Sequence, residues 1–203
     1  MILVGRYRSP YVRRVAVTMR QLGLDYEPRL ITAWDDLDGV TGINPVGRVP
    51  ALILDDGEVL VESSFIIDYL DGLVGPEKAL TPPAGPERTR VQQIVALAVG
   101  TLDKMAMVIY EIRERPPETL HPPWLERNKS QVFSGLAALD RLAPAPWLTG
   151  DALTQADLSV GVVTLFVRER DPDMMPAGRF PNLEAMMERC EALPVFQETQ
   201  PAI

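Results

Sequence analysis

The turn Asp55-Asp56-Gly57-Glu58 lies between the apolar runs Ala51-Leu52-Ile53-Leu54 and Val59-Leu60-Val61. It constrains the fold more than any other stretch. An Asp-Gly pair between two such runs specifies a β-hairpin. Upstream, Ile2-Leu3-Val4 is a short continuous apolar run, the pattern of a buried strand. Tyr11, Val15, Met19 and Leu22 then fall on one helical face, and Gly23 supplies a stop. Arg29-Leu30-Ile31 reads as a second strand, and Pro28 assigns it to a sheet edge, since proline cannot donate to a ladder. Strand, helix and parallel strand form a right-handed βαβ unit. After the hairpin, Phe65, Ile66, Tyr69, Leu70 and Leu73 make the apolar side of a helix over 63–73.

This βαβ–ββα order is that of a thioredoxin-like α/β domain. The stretch from Gly75 to Pro86 is rich in proline and glycine, and everything after it is helical in pattern. The division expected is an N-terminal domain over 1–76, a linker over 77–86 and an all-α domain over 87–203. Within the latter, Val91, Ile94, Ala98, Leu102, Met105, Ile109 and Ile112 predict one long amphipathic helix ended by Pro116-Pro117. Further helices are expected over 123–142, from Thr154, and over 183–192. Thr154 and Asp157 have capping-box spacing, with Leu153 and Leu158 as the staple. Asp157 is thus a helix cap; a catalytic aspartate is the alternative.

Charge and composition exclude several function classes. A net charge of −8 disfavours nucleic acid and anionic membrane as partners. No apolar run is expected to span a bilayer, and the N-terminus lacks a signal-peptide pattern. One cysteine, Cys190, and one histidine, His121, leave no basis for a disulfide, a zinc site or a Ser-His-Asp triad. No metal is expected, and a reducing cytoplasm fits this cysteine usage.

The residues that can carry chemistry sit at the junctions between elements. Ser9 precedes Pro10, the pattern of a helix N-cap; its hydroxyl and the helix N-terminus can equally face a thiolate. Tyr7 is the alternative donor. Asn44-Pro45-Val46-Gly47-Arg48-Val49-Pro50 leads into the hairpin. A cis Pro50 would present the Val49 backbone to an extended peptide, which would add like a β-strand. Glu62 and Ser63 open the next helix, either as an acidic residue and a cap or as groups that hold a zwitterion. In the second case Ser63 and adjacent amides take a carboxylate and Glu62 takes the ammonium. Arg8, Arg13 and Arg14 read as solvated charges. Asp103, Met107 and Tyr110 share a stripe of the long helix that faces either a cleft or a partner helix.

In this order, SPYVRRV, NPVGRVPAL, VESS, GDALTQADL and FPNLEAMMERCEALPVFQET resemble the cytosolic glutathione transferase superfamily, over essentially the whole chain. The opening looks most like bacterial homologues with a Ser-Pro-aromatic start. The resemblance implies a thioredoxin-like domain, a helical domain and a homodimer. It implies a cytoplasmic enzyme that binds glutathione and transfers it to a small, apolar electrophile. Thiol activation maps to Ser9, and glutathione contacts map to Arg48, Val49, Pro50, Glu62 and Ser63. Asp103 matches an aspartate that in some relatives reaches the partner subunit's site. Tyr11, Met107 and Tyr110 are candidates for the electrophile pocket. Serine stands where disulfide-exchanging relatives carry cysteine. A binding module with little turnover and a glutathione-dependent isomerase or reductase are the alternatives.

Overall fold

A computed structural model describes residues 1–142 and 146–201. The contacts divide the chain into two compact units: Met1–Gly85 with the segment from Glu191 onwards, and Pro86–Cys190.

The first unit is built on a four-stranded sheet of order β2-β1-β3-β4, with strands β1 (Ile2–Val4), β2 (Glu27–Arg29), β3 (Ala51–Ile53) and β4 (Val59–Val61). β1 pairs parallel to β2 and antiparallel to β3, and β3 pairs antiparallel to β4. The hairpin forms at the expected place: Gly57, at φ 91°, donates to the Leu54 carbonyl at 3.0 Å. Helices α1 (Pro10–Gln21) and α3 (Ser63–Val74) pack on each other, and the short α2 (Leu37–Thr41) precedes the hairpin. Leu3, Val12, Val15, Met19, Leu52, Ile66 and Leu70 fill the core between sheet and helices.

β2 is shifted by two residues, ending at Arg29 where the expected run continues to Ile31. β1 is only three residues long, and Gly5, at φ 127°, turns the chain out of the ladder while its N–H still reaches Arg29. Leu30 therefore has no strand to pair with and is 54 % exposed. Pro28 lies on this sheet edge as expected, opposite Leu3.

The second unit is helical: α4 (Gly85–Glu114), α5 (Pro122–Asp140), α6 (Gln155–Arg170) and α7 (Pro181–Glu191). Val91, Ile94, Ala98, Leu102 and Met105 form the buried stripe of α4. The stripe then turns: Val108 and Glu111 continue it inward, while Ile112 is 51 % exposed. A strict three-four extrapolation does not track a helix of this length. Glu111 is held by the His121 N–H at 3.1 Å and by Arg115 at 3.0 Å. Contrary to the sequence reading, α4 contains an 18-residue window apolar and long enough to cross a bilayer by composition. Its buried stripe and charged remainder are those of an amphipathic core helix.

The domain division shifts at both ends. The stretch expected as a linker is tied to the first unit by the buried Asp71, which accepts from Leu80 N–H (2.8 Å) and Thr81 N–H (3.1 Å). The short α8 (Pro194–Gln197) packs on α1, where Phe196 meets Arg13, so the tail groups with the first unit and not with the helical one.

Asp157 is fully buried at the start of α6. It accepts from Leu148 N–H (2.8 Å), Thr154 N–H (2.8 Å) and the Thr154 hydroxyl (2.9 Å). This is the capping role, extended by a bond to a loop. Asp157→Ala strands the buried Leu148 N–H and the part-buried Thr154 N–H and is expected to lower unfolding free energy by about 2 kcal/mol, measured by urea denaturation. Burial raises the carboxyl pKa values of Asp71 and Asp157 above their ordinary 3.8, against the opposing hydrogen bonds. A raised folded-state pKa stabilises fully below the unfolded value and loses that contribution as pH rises through the folded value. The stability of wild type relative to Asp71→Asn should therefore increase as pH falls from about 7 towards 4, measured by urea unfolding at both pH values.

Candidate functional site

Three junctions of the first unit carry the expected site residues. At the β1–α1 junction, Gly5 is the enabling residue. A Cβ there would collide with the Val12 side chain and lie 3.1 Å from the Val49 Cβ. Glycine thus lets the loop before β3 approach the start of α1. Ser9 occupies the N-cap of α1 with Pro10 after it, and its backbone carbonyl accepts from Arg13 at 2.9 Å. Its hydroxyl makes no capping bond, is half-buried, and has no hydrogen-bond partner among the described residues. The expected side-chain cap is not formed, so the hydroxyl is available to a ligand.

Tyr7 differs. Its hydroxyl lies 2.8 Å from that of Tyr26 and its ring packs on the core. Burial, then the hydrogen bond with Tyr7, pushes the Tyr26 pKa up, and the Arg20 guanidinium sits 4.8 Å over the Tyr26 ring. Tyr7 is engaged in a tyrosine pair, whereas Ser9 is not engaged.

The second junction is the loop before β3. The buried Asn44 organises it: its amide donates to the Arg48 carbonyl at 2.8 Å, and its carbonyl accepts from Val46 N–H at 3.1 Å. Gly47, at φ 67°, completes the turn by donating to the Asn44 carbonyl at 2.8 Å. The Val49–Pro50 bond is cis. The Val49 N–H and C=O make no hydrogen bond among the described residues. The exposed Arg48 places its guanidinium 5.9 Å over the Tyr11 ring, which joins this loop to the first turn of α1.

At the third junction, the exposed Glu62 has φ 72°, a conformation few non-glycine residues adopt. Its carboxylate accepts from Ser64 N–H (3.0 Å), Phe65 N–H (3.1 Å) and the Ser63 hydroxyl (3.2 Å). Glu62 therefore caps α3. The Ser63 N–H has no acceptor among the described residues. The Ser63 side chain is 1 % exposed, and its hydroxyl accepts from Arg14 at 2.9 Å; the neighbouring Ser64 hydroxyl accepts from the same guanidinium nitrogen at 3.0 Å. Arg14 is 0 % exposed and Arg13 is also buried, which corrects the reading of both as solvated charges; Arg8 is exposed.

Arg14, Ser64 and Asn44 were not among the sequence candidates. Asn44 carried a turn signal in its Asn-Pro-x-Gly setting. Arg14 carried no distinguishing signal in α1, which also holds Arg13, Thr18, Arg20 and Gln21. In the second unit, Asp103, Met107 and Tyr110 lie on an exposed stripe of α4, distinct from its buried one. No group of three or more His, Cys, Asp or Glu suited to a metal occurs among the described residues.

A helix-start hydroxyl, an unpaired backbone edge beside a cis-proline and an acidic helix cap thus stand at three junctions of one thioredoxin-like unit. Residues 3–78 match the glutathione S-transferase N-terminal domain and residues 122–189 the C-terminal domain. The structure is similar to a glutathione S-transferase from Methylobacterium radiotolerans in complex with glutathione sulfonate. That similarity has TM-score 0.92 and 31 % identity, covering 100 % of this chain and 95 % of the other. It is similar to one from Methylobacillus flagellatus with GSH bound, at TM-score 0.91 and 28 % identity over 99 % of each chain. The sequence is 30 % identical to maleylacetoacetate isomerase of Pseudomonas aeruginosa, over 100 % of this chain and 96 % of that one. The chain belongs to the glutathione S-transferase family.

Asn44→Ala removes both bonds that brace the Arg48–Pro50 loop. Amide exchange at Val46 should accelerate by roughly two- to tenfold, read by hydrogen–deuterium exchange, because a part-buried hydrogen bond contributes about 0.5–1.5 kcal/mol net.

Proposed function

We propose that this chain binds glutathione on its first unit, stabilises the thiolate with Ser9, and brings it to a small apolar electrophile. The observation that carries this reading is the Ser9 hydroxyl: it stands at a helix N-terminus, half-buried, with no partner among the described residues. Family membership and the two similar structures holding glutathione sulfonate and GSH support the ligand.

A free thiol has a pKa of about 8.5, so little is ionised at neutral pH. A hydrogen bond to a charged partner contributes about 1.5–3 kcal/mol, which lowers a pKa by roughly one to two units. The helix N-terminus adds in the same direction. Ser9 donates to the sulfur and is not a nucleophile, for no histidine stands near it in sequence to act as base. The thiol proton goes to solvent. The sulfur lone pair forms the new C–S bond, and the electrophile's leaving group departs with its bonding electrons.

In this reading the Val49 N–H and C=O pair with the peptide backbone as an added strand beside Pro50, and Arg48 contacts the peptide. Ser63 and Glu62 take the α-carboxylate and ammonium of the γ-glutamyl end. Tyr11, Met107 and Tyr110 are proposed for the electrophile, and Asp103 for a cross-subunit contact in a homodimer of a cytoplasmic protein. A second reading has a specific support: the similarity to maleylacetoacetate isomerase favours a glutathione-dependent isomerisation, in which the sulfur adds to a substrate double bond and leaves again. A product free of glutathione distinguishes it.

Ser9→Ala should leave glutathione affinity within about threefold and raise the bound thiol pKa by roughly one to two units, followed by thiolate absorbance against pH. An unchanged thiol pKa would remove Ser9 as activator.

A further inference from the structure

We propose that a cavity within the helical unit, between α5 and the loop joining α6 to α7, is a second binding site whose ligand is a small organic cation, an amine carried on an apolar body. No residue of the first unit lines it, so the inference stands apart from the glutathione reading.

The cavity measures about 520 Å³, within the roughly 300–1,000 Å³ of small-molecule sites. Its loop wall is braced by its own hydrogen bonds. In the 3-10 turn Pro172–Met174, Met174 N–H donates to the Asp171 carbonyl at 2.9 Å. Further on, Arg179 N–H returns to the Pro176 carbonyl at 3.0 Å, with Gly178 at φ 75° between them. The Gly178 N–H is held by the Glu184 carboxylate of α7 at 2.8 Å. The lining is apolar in part: Met174 is buried, and the half-buried Phe133 of α5 stands 6.1 Å from the buried Phe180 ring.

The charges around this lining choose the ligand. Lys129 is paired with Asp171 at 3.7 Å. Glu126 on α5 and Asp173 on the loop are exposed, and neither has a hydrogen bond or ion pair among the described residues. Arg179 places its guanidinium 5.9 Å over the Phe133 ring, so one organic cation, the protein's own, already rests on the apolar lining. Three carboxylates against two cations leave the lining negative, in a chain of net charge −8. A small anion is repelled. A metal ion is poorly served, because no three acidic groups among the described residues gather at ligand spacing. An amine needs only one or two carboxylates, and its apolar body fills the space over Phe133 and Met174.

The test titrates phenethylamine into the full chain by calorimetry at low ionic strength, with phenylacetate as the anionic counterpart. Wild type should bind the amine saturably, and phenylacetate at least about tenfold more weakly. Glu126→Gln and Asp173→Asn should each weaken the amine by roughly two- to fivefold, the range of an exposed ion pair. Arg179→Gln removes the competing cation and should tighten the amine by at least about twofold. All three side chains are exposed, so these variants leave the core of the unit intact. The inference is overturned if the amine does not saturate below about 10 mM, if phenylacetate binds as tightly, or if both carboxylate variants leave the amine's affinity unchanged. Weaker binding by Arg179→Gln would overturn it as well, since Arg179 would then be a ligand contact rather than a competitor.

Discussion

The first unit is organised around a guanidinium that has no contact with water. Arg14 is fully buried in α1 and donates to the first two residues of α3. A buried charge costs several kcal/mol unless hydrogen bonds and opposite charge offset it. Here the hydroxyls of Ser63 and Ser64 take the guanidinium, and Ser63 passes the interaction to the Glu62 carboxylate. Glu62 is exposed, so the cost of losing these bonds falls on the buried Arg14. The register of α1 against α3 is therefore fixed by polar satisfaction as well as by the fit of Val15, Met19, Ile66 and Leu70. Arg13 does the same towards the tail, donating to the Phe196 carbonyl at 3.3 Å with its guanidinium 5.5 Å over the ring.

What was legible in the sequence was local. The Asp-Gly turn, the stripe of α1 and the cap of α6 depend on residues within a turn or two of each other, and the structure has them where the pattern puts them; in α3 Ile66 and Leu70 are buried as expected, while Phe65 and Leu73 of the expected apolar side are exposed and Ile67 is buried instead. What was not legible depends on partners distant in the chain. Nothing near Arg14 names Ser63, forty-nine residues on. No compositional clue replaced it: from Val12 to Met19 every residue of α1 is buried, although the stretch carries Arg13 and Thr18 beside Arg14. The strand β2 slid because strand length is set by the partner β1, not by the apolar run Leu30-Ile31 itself. The domain edges moved because Asp71 reaches Leu80 and Thr81, and because α8 returns to α1.

The site candidates divide by the same rule. Ser9, Val49 and Glu62 were candidates because junction motifs mark them, and each sits beside the start of an element in the first unit. Ser64 was overlooked because Ser63 supplied a sufficient cap on its own. The structure separates the two by burial: Ser63 faces inward and Ser64 outward, although the same guanidinium holds both. Adjacent serines on a helix start are not interchangeable, since successive side chains point about 100° apart around the axis.

Stability and function also draw on separate groups here. Tyr7, Asn44, Asp71 and Asp157 are polar residues whose hydrogen bonds are satisfied inside the protein. Ser9, the Val49 backbone and the Ser63 N–H are polar groups left open among the described residues. A half-buried donor without a partner costs free energy that packing elsewhere must offset, and interiors rarely retain one without reason. Three such groups lie at three junctions around one sheet, two of them linked through the close approach at Gly5. In the proposed reading, an extended ligand with a thiol, a peptide backbone and a zwitterionic end meets them in this order.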